Sequence, residues 1–120
     1  MEKEKYLFKS EEYVSVVENT LGGRQWNSNL ITKEIGSAFD AGITTYKKEE
    51  PPCVFEHDDY ADVIYVIDGE ICVKSNLSDD VIFAKTGDTV YLVQKKGLKM
   101  TVGTVSDTSK IFWVAYPNCY

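Results

Sequence analysis

The chain has 120 residues, of which 43% are hydrophobic and 27% charged, and this suits one globular domain with one hydrophobic core. Its formal net charge is −6, and Arg24 is the single arginine among its 13 basic residues. An acidic chain with one arginine is a poor partner for a phosphate backbone, so we expect no binding to nucleic acid. No apolar run approaches the roughly 20 residues that span a bilayer, so we expect no membrane association either.

Short extended segments separated by turns run through most of the chain. At the N terminus, Ser10 followed by acidic residues fits the start of a helix, whereas residues 13–17 favour a strand, and both interpretations stay open. The later strand candidates are residues 29–35, 42–47, 53–56, 63–67, 71–75, 81–84, 89–93, 98–102 and 111–115. Strands that recur about every 8 to 12 residues, without long helical patterns, predict a β-sandwich or β-barrel.

We predict a single domain over residues 1–120. Residues 41–120 make up the barrel core, and residues 1–40 add N-terminal strands or a short helix. Between strand candidates 63–67 and 71–75 stands Asp68-Gly69, a dipeptide that readily adopts the positive φ angles of a tight hairpin turn. The predicted fold class is therefore all-β.

Two features of the sequence favour the cytoplasm. The first 13 residues mix charges of both signs and contain no apolar signal-peptide core. Cys53, Cys72 and Cys119 are odd in number and widely spaced, which is typical of reduced thiols. We expect a cytoplasmic protein, and the sequence leaves open whether it associates with a microcompartment.

Three segments resemble motifs of the cupin superfamily. The segment VFEHDDYADVIYVIDGE, residues 54–70, resembles the first cupin motif, with Asp62 where the family has a glutamate and Gly69 seven residues later. The segment TGDTVYLVQKKGLKM, residues 86–100, resembles the second motif, although Val93 replaces the usual proline and one residue is inserted before Gly97. The ending KIFWVAYPNCY, with Tyr60-Ala61-Asp62, is similar to the ethanolamine-utilisation (EutQ-type) branch of cupins.

This resemblance covers roughly residues 40 to 120 and carries expectations about fold and function. It implies a cupin-type β-barrel, the double-stranded β-helix or jelly roll. For the EutQ-type branch it also implies an incomplete set of ligand histidines and a link to acetate kinase activity in ethanolamine breakdown. The sequence itself gives acyl-phosphate chemistry little support, because it contains no G-x-x-x-x-G-K-[ST] loop.

Metal-binding cupins present about three histidines and a carboxylate into the barrel, and this chain has one histidine, His57. In one register the two ligand positions of the first motif are Phe55 and His57; in the other they are Glu56 and Asp58. Strand alternation favours the first register, because Cys53, Phe55 and His57 then share the more apolar face.

The remaining ligand position falls near Met100, whose thioether is a poor ligand for magnesium or zinc. His57 and Asp62 are then two ligands where a retained site needs at least three, so we predict no metal and no other cofactor. An oxygen-rich site formed by Glu56, Asp58, Asp59 and Asp62 is the alternative, and a solvated turn at 58–59 is the favoured interpretation.

Without metal, the candidate catalytic residues are Asp62 and His57. A buried carboxylate facing an imidazole fixes its tautomer and suits general acid–base catalysis, whereas His57 on the barrel rim is inert; both interpretations stay open. Asp62 opens an otherwise apolar strand and is costly to bury unless it is paired.

Aromatic residues line many small-ligand pockets, so the predicted ligand-binding residues are Phe55, Tyr60, Tyr91 and Met100. We expect a small-molecule ligand and a homodimer, since open sheet edges favour pairing. The leading functional hypothesis is a metal-free, EutQ-like cupin that binds a small metabolite. Its alternatives are a metal-dependent isomerase or dioxygenase that uses His57 and carboxylates, and a non-catalytic scaffold of a metabolic assembly.

Overall fold

The structure is a computed structural model and describes residues 5–9, 14–18, 23–56 and 59–118. Within these ranges it contains ten β-strands, a short 3-10 turn at Lys33–Ile35 and no α-helix, which confirms the all-β prediction. The strands are β1 Val14–Glu18, β2 Arg24–Ile31, β3 Asp40–Lys47, β4 Cys53–Phe55, β5 Tyr60–Asp68, β6 Glu70–Ser75, β7 Ile82–Lys85, β8 Thr89–Gln94, β9 Met100–Thr104 and β10 Thr108–Tyr116. No described helix has the length and apolar character to cross a membrane.

The strands form two antiparallel sheets that enclose one core. The larger sheet has the order β1-β2-β3-β10-β5-β8, and the smaller has the order β4-β9-β6-β7. Strands that follow each other in sequence often lie in different sheets, so the chain crosses repeatedly from one sheet to the other. This is the architecture of a jelly roll, as predicted.

Strict alternation along the strands separates the core from the surface. On β5, Ile64 and Val66 are buried, whereas Val63 and Tyr65, which alternate with them, are exposed. The inward residues of β5 pack with buried residues of β6, β9 and β10 in one hydrophobic cluster, which includes Ile71. Every second side chain along a strand therefore points into the space between the sheets and helps to fill it.

The Asp68-Gly69 turn differs from the prediction in one respect. Gly69 does adopt a positive φ of 89°, and a Cβ there would lie 2.6 Å from both the Ser109 Oγ and the Thr108 carbonyl oxygen. However, β5 pairs with β10 and β8, whereas β6 pairs with β7 and β9. The turn therefore joins the two sheets and is not the tip of a paired hairpin.

The N-terminal region adds two strands to the larger sheet. Residues 14–18 form β1, which pairs with β2, so the strand interpretation holds there; Ser10 lies outside the described residues. Strand β2 begins at Arg24, five residues before the predicted start, and its polar residues Gln25, Asn27 and Ser28 are buried. Their polarity hid the strand from sequence reasoning, because buried positions are usually apolar.

Candidate functional site

A small cavity lies inside the barrel where β5 begins and β8 ends. Its volume is about 40 Å³, which is room for about three water molecules or a ligand of a few heavy atoms. Inward-facing residues of seven strands line it: Gln25, Thr44, Tyr46, Phe55, Tyr60, Asp62, Ile64, Leu92, Gln94, Val102, Ile111, Trp113 and Ala115. This composition, mostly apolar and aromatic with a few convergent polar groups, is typical of a small-molecule site.

Asp62 is the one formally charged side chain of this lining. Alternation on β5 turns it inward together with Tyr60 and Ile64, because the side-chain period of a strand is two. Burial raises the pKa of Asp62 from its ordinary value of 3.8 to about 7, and hydrogen bonds from the side chains of Tyr60 and Gln94 oppose that rise. Asp62 therefore titrates near neutral pH, where it can bind or exchange a proton.

Gln94 is the second polar group of the site and escaped the sequence analysis. It ends β8 opposite Tyr60 in the strand register, and only 2% of its surface is exposed. Its side chain hydrogen-bonds to Asp62, yet its Oε1 atom is buried and has no hydrogen-bond partner. A buried acceptor without a donor costs free energy, and Gln94 Oε1 carries that cost in the folded state. The alternation Val90, Leu92, Gln94 is the sequence signal that predicts its inward position.

Four aromatic side chains, Tyr46, Phe55, Tyr60 and Trp113, form much of the wall. The indole N–H of Trp113 donates to Thr44 Oγ1 at 2.8 Å, and the Thr44 hydroxyl donates in turn to Asn27 Oδ1 at 2.6 Å. These two buried hydrogen bonds hold the indole ring against the cavity, and they use the donors of Trp113 and Thr44.

With the site described, comparison with known proteins identifies the family. The model of a family described as "Ethanolamine utilisation protein EutQ" matches residues 19–120. The chain belongs to the EutQ family. No curated protein sequence is significantly similar to the chain.

Solved structures of EutQ proteins and of other proteins share this fold. Ethanolamine utilization protein Q of Salmonella typhimurium LT2 is 20% identical, with a TM-score of 0.65, over 87% of this chain and 94% of that chain. The Clostridium difficile EutQ protein is 21% identical, with a TM-score of 0.64, over 82% of this chain and 66% of that chain. A predicted oxalate decarboxylase of Thermotoga maritima is 16% identical, with a TM-score of 0.72, over 93% of this chain and 99% of that chain. These likenesses confirm the cupin-type fold.

Three predicted site residues of this EutQ-family chain come together. Phe55, Tyr60 and Asp62 all line the cavity. The favoured register of β4 also agrees with the structure, since Cys53 and Phe55 pack against the core and Glu56 is exposed. His57, the other predicted catalytic residue, lies outside the described residues, as does Asp58.

Two predicted ligand-binding residues lie elsewhere. Tyr91 is 66% exposed and points to the outer face of β8, because its neighbours Val90 and Leu92 take the inward positions. Met100 is buried in the hydrophobic core opposite Phe55 in the register, but it does not line the cavity. Both residues lie on predicted strands, 89–93 and 98–102, and their binding of a ligand stays a prediction.

The cupin fold implies a metal, and the described donors around Asp62 do not fit one. Among the residues that the structure describes, no three histidine, cysteine or carboxylate side chains gather into a possible site. The polar neighbours of Asp62 are hydroxyl and amide groups of Tyr60 and Gln94. Gln25 and Thr44 add another amide and hydroxyl, and the rest of the described wall is aromatic or aliphatic. Borderline divalent ions prefer imidazole or thiolate ligands, which the described wall lacks.

Proposed function

We propose that this EutQ-family protein binds a small polar metabolite in the barrel cavity and that Asp62 is the group that recognises it. The observation that carries the proposal is the Asp62 carboxyl, whose pKa is raised by burial and which is hydrogen-bonded to Tyr60 and Gln94 in a cavity that all three residues line. Burying such groups is unfavourable for folding alone, and perturbed carboxyls in clefts are a common sign of a functional site. The family description, "Ethanolamine utilisation protein EutQ", supports a role in ethanolamine utilisation.

Asp62 also supports a proposal of acid–base chemistry. A carboxyl whose pKa is about 7 is populated in both protonation states near neutral pH, which is the condition for efficient proton transfer. Participation of His57 stays a prediction, since that residue lies outside the described ranges.

The acetate kinase activity implied by the family resemblance finds little support in the cavity. Phosphoryl transfer requires cationic groups or magnesium around the transferring phosphate. No lysine or arginine belongs to the described lining, and the only charged residue there is acidic. We therefore favour binding of a small metabolite over acyl-phosphate chemistry at this site.

A panel of small metabolites tests the proposal by differential scanning fluorimetry and isothermal titration calorimetry. We expect at least one compound of a few heavy atoms to raise the melting temperature of the wild type. Asp62→Asn, which keeps the shape and removes the charge, should lose most of that binding. Asp68→Asn, an exposed carboxylate on the same strand, is the matched control and should retain it. Binding that is equal in all three proteins would exclude the cavity as the site.

A scaffolding role is the outcome if no ligand binds and Asp62→Asn retains full function in cells. The metal-dependent alternative predicts that activity is lost with chelator and restored by one ion. Neither has a specific observation in its favour among the described residues.

We also propose a cytoplasmic homodimer that associates through the outer face of β5, β8 and β10. Five exposed side chains on adjoining strands make this face apolar: Val63, Tyr65, Tyr91, Val93 and Tyr116. Monomers rarely expose contiguous apolar patches of this kind, and β8 ends the larger sheet. Sedimentation equilibrium should give a dimer for the wild type and a monomer for Tyr91→Glu; a wild-type monomer would overturn this proposal.

A further inference from the structure

A second cavity lies beside the barrel cavity. It forms where Arg24 begins β2, Lys47 ends β3, and Pro52 of the loop before β4 packs near Gly103 of β9. Its volume is about 100 Å³, against about 40 Å³ for the barrel cavity. Among the described lining residues, Tyr46 alone belongs to both cavities. The second cavity therefore has a wall of its own, to which the proposed function gives no role.

Basic side chains dominate the charge of this second cavity. Arg24, Lys47 and Lys48 line it, and Glu50 is the only carboxylate of the described lining. Three positive charges against one negative leave an excess of two, whereas the whole chain has a net charge of −6. A cleft lined mainly by one sign of charge raises the local concentration of ligands with the opposite sign.

The Glu50 carboxylate is withdrawn from the open part of the cavity. Its Oε1 accepts a hydrogen bond of 3.0 Å from the indole N–H of Trp26, and its Oε2 is buried 3.7 Å from Arg24 Nε. The side chain of Glu50 is 14% exposed, whereas that of Arg24 is 46% exposed and Lys48 is exposed as well. The Nζ of Lys47 lies 3.8 Å from the centroid of the Trp26 ring, which holds this cation at the wall. A ligand in the cavity therefore meets mostly positive charge.

We propose that the second cavity binds a small doubly charged oxyanion, whose oxygen atoms accept hydrogen bonds from Arg24, Lys47 and Lys48. Two negative charges match the excess of positive charge, and guanidinium and ammonium groups form strong charge-assisted hydrogen bonds to oxyanions. A volume of about 100 Å³ is room for about seven to ten water molecules, so an anion of about five to seven heavy atoms fits. This site goes beyond the proposed function, because the described lining of the barrel cavity contains no basic residue.

Isothermal titration calorimetry at pH 7.5 and constant ionic strength tests the site with sulfate, malonate and nitrate. Sulfate and malonate are a tetrahedral dianion and a dicarboxylate, and binding of either with a dissociation constant of about 1 mM or lower supports the proposal. Which of them binds more tightly tells whether the cavity suits one tetrahedral group or two carboxylates. Nitrate, an oxyanion with one charge, should bind at least about tenfold more weakly than the better dianion.

Variants locate the binding in the second cavity. Arg24→Gln should weaken binding of the better dianion about tenfold or more, and Lys48→Gln about three- to tenfold. Lys85→Gln removes the same charge from β7, at the opposite edge of the smaller sheet from β4, and should bind like the wild type. Asp62→Asn should also bind like the wild type, because Asp62 lines only the barrel cavity. Far-UV circular dichroism checks folding, and if Arg24→Gln does not fold, the exposed Lys48 decides.

The outcomes separate this proposal from the proposed function. Failure of both dianions to bind, or binding of nitrate as tight as that of the better dianion, would overturn the oxyanion site and leave the barrel site untouched. Equal weakening in Lys48→Gln and Lys85→Gln would also overturn it, because binding would then follow net charge. Dianion binding that is lost in Asp62→Asn and kept in Lys48→Gln would move the anion to the barrel cavity and contradict the assignment.

Discussion

Replacing Asp62 by asparagine should change how the stability of the protein depends on pH. Burial raises the pKa of Asp62 in the folded state to about 7, whereas the unfolded chain has a value near 3.8. Between these values the folded protein keeps a proton that the unfolded chain has released. The free energy of unfolding therefore carries a contribution from Asp62 that is largest below pH 3.8, falls as the pH rises, and is constant above pH 7.

The size of this effect follows from the interval between the two pKa values. An interval of about three pH units, at about 1.4 kcal/mol each, sets an upper limit of about 4 kcal/mol. Because part of the Asp62 side chain remains accessible to solvent, we expect about 2 to 4 kcal/mol. Asparagine keeps the shape but has no charge to desolvate, so Asp62→Asn should gain stability relative to the wild type as the pH rises from 4 to 8.

Urea denaturation at several pH values between 4 and 8 measures this difference. The other carboxylates of the chain affect both proteins alike, so the difference between variant and wild type isolates Asp62. Asp68→Asn, which replaces an exposed carboxylate on the same strand, is the control for the loss of a charge itself. A difference for Asp62→Asn that stays constant within about 1 kcal/mol would refute the reasoning, since Asp62 would then be as well hydrated as in the unfolded chain.

Three further predictions follow from the same structure. Trp113→Phe removes the indole N–H that donates to Thr44 and should lower the free energy of unfolding by about 1 to 3 kcal/mol in urea denaturation. Gly69→Ala should cost at least about 1 kcal/mol more than Gly97→Ala, because both glycines have positive φ but only the first has a backbone carbonyl 2.6 Å from the added methyl. A cationic compound of the metabolite panel that needs Asp62 for binding should bind about tenfold more tightly at pH 8 than at pH 6 in calorimetry, because the ionised fraction of Asp62 rises about tenfold.

Local patterns in the sequence predicted most of the strands. The alternating segments 63–67, 89–93 and 111–115 all lie within observed strands, and each observed strand extends only a few residues further. Pattern reasoning failed at β2, where Gln25, Asn27 and Ser28 are polar and yet buried. Polar residues usually mark loops or solvent-facing positions, and only tertiary structure shows that these line or support a polar interior.

The candidate site was predictable where one motif carried it and unpredictable where distant strands supply it. Phe55, Tyr60 and Asp62 lie within one short segment and could be assigned to the interior from alternation. Gln94 and Thr44 come from strands far apart in sequence, and their meeting with Asp62 depends on the order of the sheet. Asp68-Gly69 shows the same limit, since the turn chemistry was right but the pairing partners of its strands are set by the whole fold.

The most direct test of the proposed site is a pH titration of the Asp62 carboxyl carbon by ¹³C NMR. We expect a midpoint near pH 7, because burial disfavours the ionised form. A midpoint near 4 would contradict the buried carboxyl on which the proposed site rests.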